Sequence, residues 1–225
     1  MDINTEETEI NYVGSFRRGF AISIDIFIVA VLRIFAAQIL GAIWLNRVLS
    51  QLVIDFREYF GTDSVENYEQ VDFILRHSAF KEVIIFYLLV FLVGALYHSY
   101  LNSSAWRATI GKRLLGVMIV DKNLQKISLM KGLAHYFLSI IPILYVIYLI
   151  FYQSYYKLGF MATLTGNPFN LILGFIAVMW LNIHVFTKRK VTAYDLICKT
   201  VFIKGRISAK YPWQKITDEE NGQKA

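Results

Sequence analysis

Four long apolar runs dominate the pattern of the chain, at about residues 19–43, 83–101, 133–151 and 169–186. Each holds the ~17–25 residues that a helix needs to cross a hydrocarbon core of about 30 Å. The second and third, VIIFYLLVFLVGALYHSYL and LAHYFLSIIPILYVIYLIF, contain no Asp, Glu, Lys or Arg. The first is interrupted by Asp25, Arg33 and Gln38. Pro142 falls inside the third and predicts a kink there, because proline removes a backbone donor and crowds the preceding turn. The pattern predicts an all-α membrane protein, a bundle of about four transmembrane helices forming one domain over residues 1–225. A polar N-terminal arm (1–15) and a polar C-terminal tail (206–225) flank it.

Between the runs the pattern changes. In LNRVLSQLVIDFREYF, Val48, Leu52, Ile54, Phe56 and Tyr59 recur near helical spacing. This stretch either extends the first span or lies on the membrane surface as an amphipathic helix. Residues 61–69 are polar and read as a loop. Between the second and third spans, VMIVD followed by KNLQKISL reads as a small cytoplasmic β-hairpin-like loop: a strand, a turn at Asp121–Asn123 and a second strand. No repeat and no Gly/Ser linker divides the chain.

Composition supports the membrane reading. Apolar residues make up 56% and mean hydropathy is +0.46, against roughly 45–50% apolar in soluble domains. The net charge is +6. Its distribution explains it without nucleic acid: Lys and Arg concentrate at Arg17 and Arg18, in the segment from Arg107 to Lys131, and in the tail after Lys188. The other side carries Arg47, Arg57, Arg76, Lys81 and Lys157. The positive-inside rule then places both termini in the cytoplasm, as expected for a multi-pass protein of a bacterial inner membrane. The acidic start MDINTEETEINYVG does not read as a cleavable signal peptide. Cys198 is the single cysteine, so neither an internal disulfide nor a CxxC metal site can form.

Candidate chemistry lies where polar groups enter the apolar runs. Asp25 sits about 9 Å down the first span by helical rise. A charge at mid-bilayer costs about 2.5–3.5 kcal/mol on insertion scales, so Asp25 needs a partner, water or a proton. Given alternating topology, Asp25, His98, His135, Asn182 and His184 share the cytoplasmic half. Together with Arg33 they are candidates to line a polar, proton-carrying cavity. The plainer alternative is that each His and Asn reaches the headgroup zone singly. Arg18 and Asp25 are seven apart and share a helix face, yet stand roughly 10 Å apart along the axis, so a third group must join them. Asp195 is a candidate for that group, as a bidentate partner of Arg17 or Arg18. Lys112 and Arg113 are candidates for anionic headgroup contact. No HxxxH or HExxH metal pair, no GxSxG nucleophile and no GxxxxGK[ST] phosphate loop occurs. The expectation is therefore no enzyme, no metal and no cofactor. The expected partners are membrane lipids and a second copy or another membrane protein, with no nucleic acid.

Three blocks carry a family resemblance. FRRGFAISIDIFI places Arg17, Arg18, Ala21 and Asp25 at characteristic spacing; WRATIGKRLLGVMIVD supplies Thr109, Gly111, Lys112, Gly116 and Asp121; VTAYDLICKTVFIK supplies Asp195 and Thr200. In this order they resemble the RDD family of polytopic membrane proteins, named for one arginine and two aspartates. His135 stands where many members have an arginine. The resemblance implies transport of small solutes or ions, with Arg17, Arg18, Asp25 and Asp195 as a cytoplasmic-side charge cluster. The alternative is a non-catalytic scaffold or assembly protein whose Arg–Asp pairs are structural.

Overall fold

The structure is a computed structural model that describes residues 11–61, 67–187, 190–205 and Pro212. Most of the expected N-terminal arm and C-terminal tail, residues 62–66 of the expected loop, and Lys188 and Arg189 lie outside the described residues. Four helical stretches are long and apolar enough to cross a membrane: Ser15–Phe60, Ser78–Asn102, Leu129–Tyr156 and Pro168–Phe186. Each contains one of the expected spans. The chain is an all-α membrane protein with a small two-stranded sheet.

It packs as two compact units, one made of residues up to Asp25 and from Tyr97 onward, the other of Ile26–Leu96. α1 (Ser15–Leu40) begins in the first unit and, within the second, runs through a π-helical turn at Gly41–Leu45 into α2 (Asn46–Phe60). The 46-residue stretch is about 69 Å long, roughly twice a hydrocarbon core, so the first span is extended rather than ended near residue 43. Gly61, at φ 66°, stops it. Next come α3 (Asn67–Arg76) and α4 (Ser78–Asn102). Phe73 of α3 packs on Phe56 and Phe60 of α2, and His77 Nε2 lies 2.8 Å from an Asp55 carboxylate oxygen.

The first unit holds the third and fourth spans. The third breaks at Ile140 into α6 (Leu129–Ser139) and α7 (Ile141–Tyr156), with Pro142 in the first turn of α7. The helix is therefore interrupted beside the proline that predicts a kink, and the physical cause is visible. Pro142 has no N–H for the carbonyl of Leu138, four residues back. The Trp180 indole N–H donates to that oxygen at 2.9 Å instead. Trp180 lies on α9 (Pro168–Asn182), which follows the short α8 (Phe160–Thr165). Buried Asn170 joins the three helices: its amide donates to Thr163 O at 2.8 Å, while Tyr148 and Tyr145 hydroxyls donate to its side-chain and backbone oxygens.

The sheet corrects one expectation. β1 (Val117–Asp121) pairs antiparallel with β2 (Thr200–Lys204), from Val117 opposite Lys204 to Asp121 opposite Thr200. The segment after β1 is not the second strand. The Asp121 carboxylate accepts the N–H groups of Asn123 and Gln125, and Leu124 adopts a left-handed φ of 63°. Ser128 then caps α6 by accepting the Lys131 N–H. Those residues are consumed by a turn and a helix start. The chain entering α1 flanks the other edge of β2: Val13 N–H donates to Phe202 O and Lys204 N–H to Asn11 O. Val13, Val117, Ile119, Ile127 and Phe202 form the resulting core. The sheet thus gathers the start of α1, the segment between the second and third spans, and the C-terminal strand.

Candidate buried charge centre

Arg18, Ala21 and Asp25 recur at i, i+3 and i+7 on α1, and this is its buried face. A short helix, α5 (Ile110–Leu114), meets that face end-on. Gly111 makes the approach possible, since a Cβ at this position would run into the Ala21 carbonyl oxygen and the Asp25 carboxyl.

Asp25 is 1% exposed, and uncharged donors hold it. Tyr97 OH donates to Oδ1 at 2.8 Å, Gly111 N–H to Oδ1 at 2.9 Å and Thr109 OH to Oδ2 at 2.5 Å. The Tyr97 oxygen in turn accepts the Ile110 N–H at 3.2 Å. Asp25 and Tyr97 thereby satisfy two of the N–H groups that begin α5, those of Gly111 and Ile110.

Asp195, fully buried, lies in α10 (Ala193–Cys198) and forms a capping box with Thr192. Thr192 donates both its N–H and its hydroxyl to Oδ2. Arg18 Nη2 donates to the same oxygen at 2.8 Å, and His135 Nε2 lies 2.8 Å from Oδ1. Gly132 positions that histidine: without a side chain, it lets α6 lie against the backbone of Ser99 on α4. Burial pushes the Asp195 carboxyl up, but the His135 hydrogen bond, the Arg18 guanidinium and the Thr192 N–H outweigh it and hold the group well below the usual carboxylate range. Burial also pushes the neighbouring Tyr194 phenol up, and the Asp195 charge adds to this.

Phe202 of β2 links the groups. The Arg18 guanidinium carbon lies 4.1 Å from its ring centroid, the Lys112 ammonium 5.3 Å from it, and the His135 ring 6.0 Å. Lys112 is 5% exposed and donates to Asn102 Oδ1 at 3.0 Å. Burial pulls its ammonium down to about 8; Asp25 opposes that, Arg18 reinforces it, and Asp195 opposes it.

The structure brings Arg18, Asp25, Asp195, His135 and Lys112 into one buried assembly and leaves the other candidates elsewhere. Arg17 is exposed. The expected bidentate pair is monodentate: the second guanidinium nitrogen of Arg18 donates to Lys190 O at 2.6 Å. Lys112 is interior, not at a headgroup surface, because α5 turns it inward toward Asn102. Arg113 is half-buried and stacks over Trp106 at 4.4 Å. His98 stacks on Tyr136. Asn182 and His184 bond to carbonyls of their own helix, Val178 and Leu181. Arg33 belongs to the other unit, where it donates to Phe91 O at 3.4 Å and lies over the Phe91 ring. Among the described residues no group of three or more His, Cys, Asp or Glu is placed to hold a metal.

Sequence reasoning missed Tyr97, Asn102, Thr192 and Phe202. Thr192 had a usable signal, a hydroxyl three residues before an acidic one at a helix start. Tyr97 and Asn102 sit one turn or less from His98 at the end of an apolar run, which alone does not single them out.

Four spanning helices with a sheet-capped centre of buried charge define a multi-pass membrane protein. The chain belongs to the RDD family, a family of membrane proteins, whose model matches residues 12–199. No curated protein and no solved structure matches it significantly.

Proposed function

We propose that this protein is a small-solute or ion transporter, or a component of one, in a bacterial inner membrane. Both termini and the charge centre face the cytoplasm, in keeping with the Lys and Arg bias of the segments. Asp25 is its working group. The observation that carries this reading is that Asp25, buried at 1%, accepts, among the described residues, from hydroxyls and an N–H and from no cationic side chain. A proton or small cation can therefore join the carboxylate without breaking an ion pair, the condition for reversible occupancy at an intramembrane acid. Flux of ions and protons in proteoliposomes tests it, comparing wild type with Asp25→Asn. The variant should lose flux while its melting profile in detergent still shows a folded protein. Undiminished flux in the variant overturns the assignment.

A second reading has its own support. Arg18 and Asp195 form a buried pair, with side-chain exposures of 8% and 0%, that ties the C-terminal segment to the first helix. In a scaffold or assembly protein such a clasp is the whole purpose of the charges. Proteoliposomes without flux, from wild type and variant alike, favour this reading, and co-purification of a second copy or another membrane protein is then the next observation to make.

A further inference from the structure

α10 buries one side and bares the other. Tyr194, Asp195 and Cys198 are buried, whereas Leu196 and Ile197 are 50% and 56% exposed. α10 packs on α6, and the 2.8 Å contact of Asp195 with His135 sets it beside the first two turns of that helix. The start of α6 carries two more exposed apolar side chains, Leu129 and Met130. They open the stretch Leu129–Tyr156, which is long and apolar enough to cross a membrane. The bare side of α10 therefore stands where the third span enters the bilayer. In water such a patch is costly, whereas the boundary between headgroups and acyl chains accepts it.

Lysines gather at the same end. Lys122 N–H donates to Lys199 O at 3.1 Å, which sets the turn after β1 beside the C-terminal end of α10. Lys131 lies in the first turn of α6. Burial and the Asp195 charge push the Cys198 thiol up and Lys131 pulls it down, so this ammonium faces the residue before Lys199. Lys122 and Lys199 are exposed, and Lys131 is half-buried. Among the described residues none of these lysines forms an ion pair. The carboxylates of the same segments are engaged: Asp121 accepts the N–H groups of Asn123 and Gln125, and Asp195 is held by Arg18. A lysine stem can lie along apolar surface while its ammonium reaches the headgroups. We propose that this face is a docking surface for anionic phospholipid, with Leu129, Met130, Leu196 and Ile197 against the acyl chains and Lys122, Lys131 and Lys199 on the headgroup phosphates. Apolar contact alone takes any lipid. The ammoniums supply the preference for negative charge, about fivefold for each lysine near the surface. Headgroup contact thus falls to lysines other than Lys112, whatever the protein transports.

Native mass spectrometry of the full chain tests this, with the detergent-solubilised protein offered equal amounts of phosphatidylglycerol and phosphatidylcholine of matched acyl chains. Wild type should retain mainly phosphatidylglycerol, and salt added during lipid exchange should weaken the preference. Each of Lys122→Gln, Lys131→Gln and Lys199→Gln should lower it about fivefold, and the triple variant should retain the two lipids nearly equally. If the triple variant fails to fold, Lys122→Gln/Lys199→Gln, which changes exposed side chains only, carries the comparison. Lys81→Gln/Lys157→Gln, in other segments, should keep the wild-type preference. The apolar half is read in nanodiscs containing phosphatidylglycerol, with a nitroxide on Ile197→Cys in a Cys198→Ala background. Oxygen should relax that label, and a water-soluble nickel chelate should not reach it. Equal retention of both lipids by wild type, a preference that survives the lysine substitutions, or an equal loss in the Lys81→Gln/Lys157→Gln control overturns the proposal. So does a label open to the chelate, which would leave the patch to a soluble partner.

Discussion

Arg18 and Asp195 are 177 residues apart in sequence and 2.8 Å apart in space, with side-chain exposures of 8% and 0%. Breaking a buried pair from one side leaves the other charge uncompensated and costs about 3–5 kcal/mol. Arg18→Ala should therefore lower the melting temperature in detergent sharply. Exposed Arg17→Ala should leave it nearly unchanged. Equal effects would mean that the pair does not hold the C-terminal segment to α1.

Gly111→Ala should be clearly destabilising, although it adds only a methyl group. The added carbon meets the Ala21 carbonyl and the Asp25 carboxyl, and backbone cannot move aside cheaply. Over-packing of this kind costs about 1–3 kcal/mol. A melting comparison with Gly19→Ala, where a Cβ meets nothing, isolates the effect.

At the break in the third span, Trp180→Phe should cost about 1 kcal/mol by leaving the Leu138 carbonyl without the indole N–H. In a Pro142→Ala background the restored N–H competes for the same oxygen, so the tryptophan should matter less. A double-mutant cycle with no coupling between the two positions would contradict this.

Stability should also depend on alkaline pH through Lys112. Burial pulls its ammonium down to about 8 in the folded protein, against about 10.4 when solvated, so between these values the unfolded chain should hold the extra proton. Stability should then rise with pH from about 8 to about 10.4, by roughly 3 kcal/mol in all, because the cost of burying the charge disappears. Lys112→Met should lack that rise, as chemical denaturation across the window can show.

The spans were legible because a bilayer imposes a length and an apolarity that any sequence must display. Four runs of sufficient length, a proline in the third and a carboxylate in the first all keep their meaning in the structure. Periodicity likewise put Arg18 and Asp25 on one face of α1. The partners of these groups were not legible, because they come from other parts of the chain and depend on register and approach. Nothing local says that VMIVD pairs with TVFIK rather than with the residues that follow it, or that Tyr97 reaches Asp25 while Arg18 does not. Lys112 shows the difference most clearly. By composition, a lysine between two spans belongs at the headgroups. Tertiary structure turns it inward, because Gly111 lets α5 close on α1, and β2 brings Phe202 to the same place. The sequence by itself determined which helices are long and apolar enough to cross a membrane and where charge enters them; which charges meet was decided by packing between distant segments, through contacts too short in range for any single segment to encode.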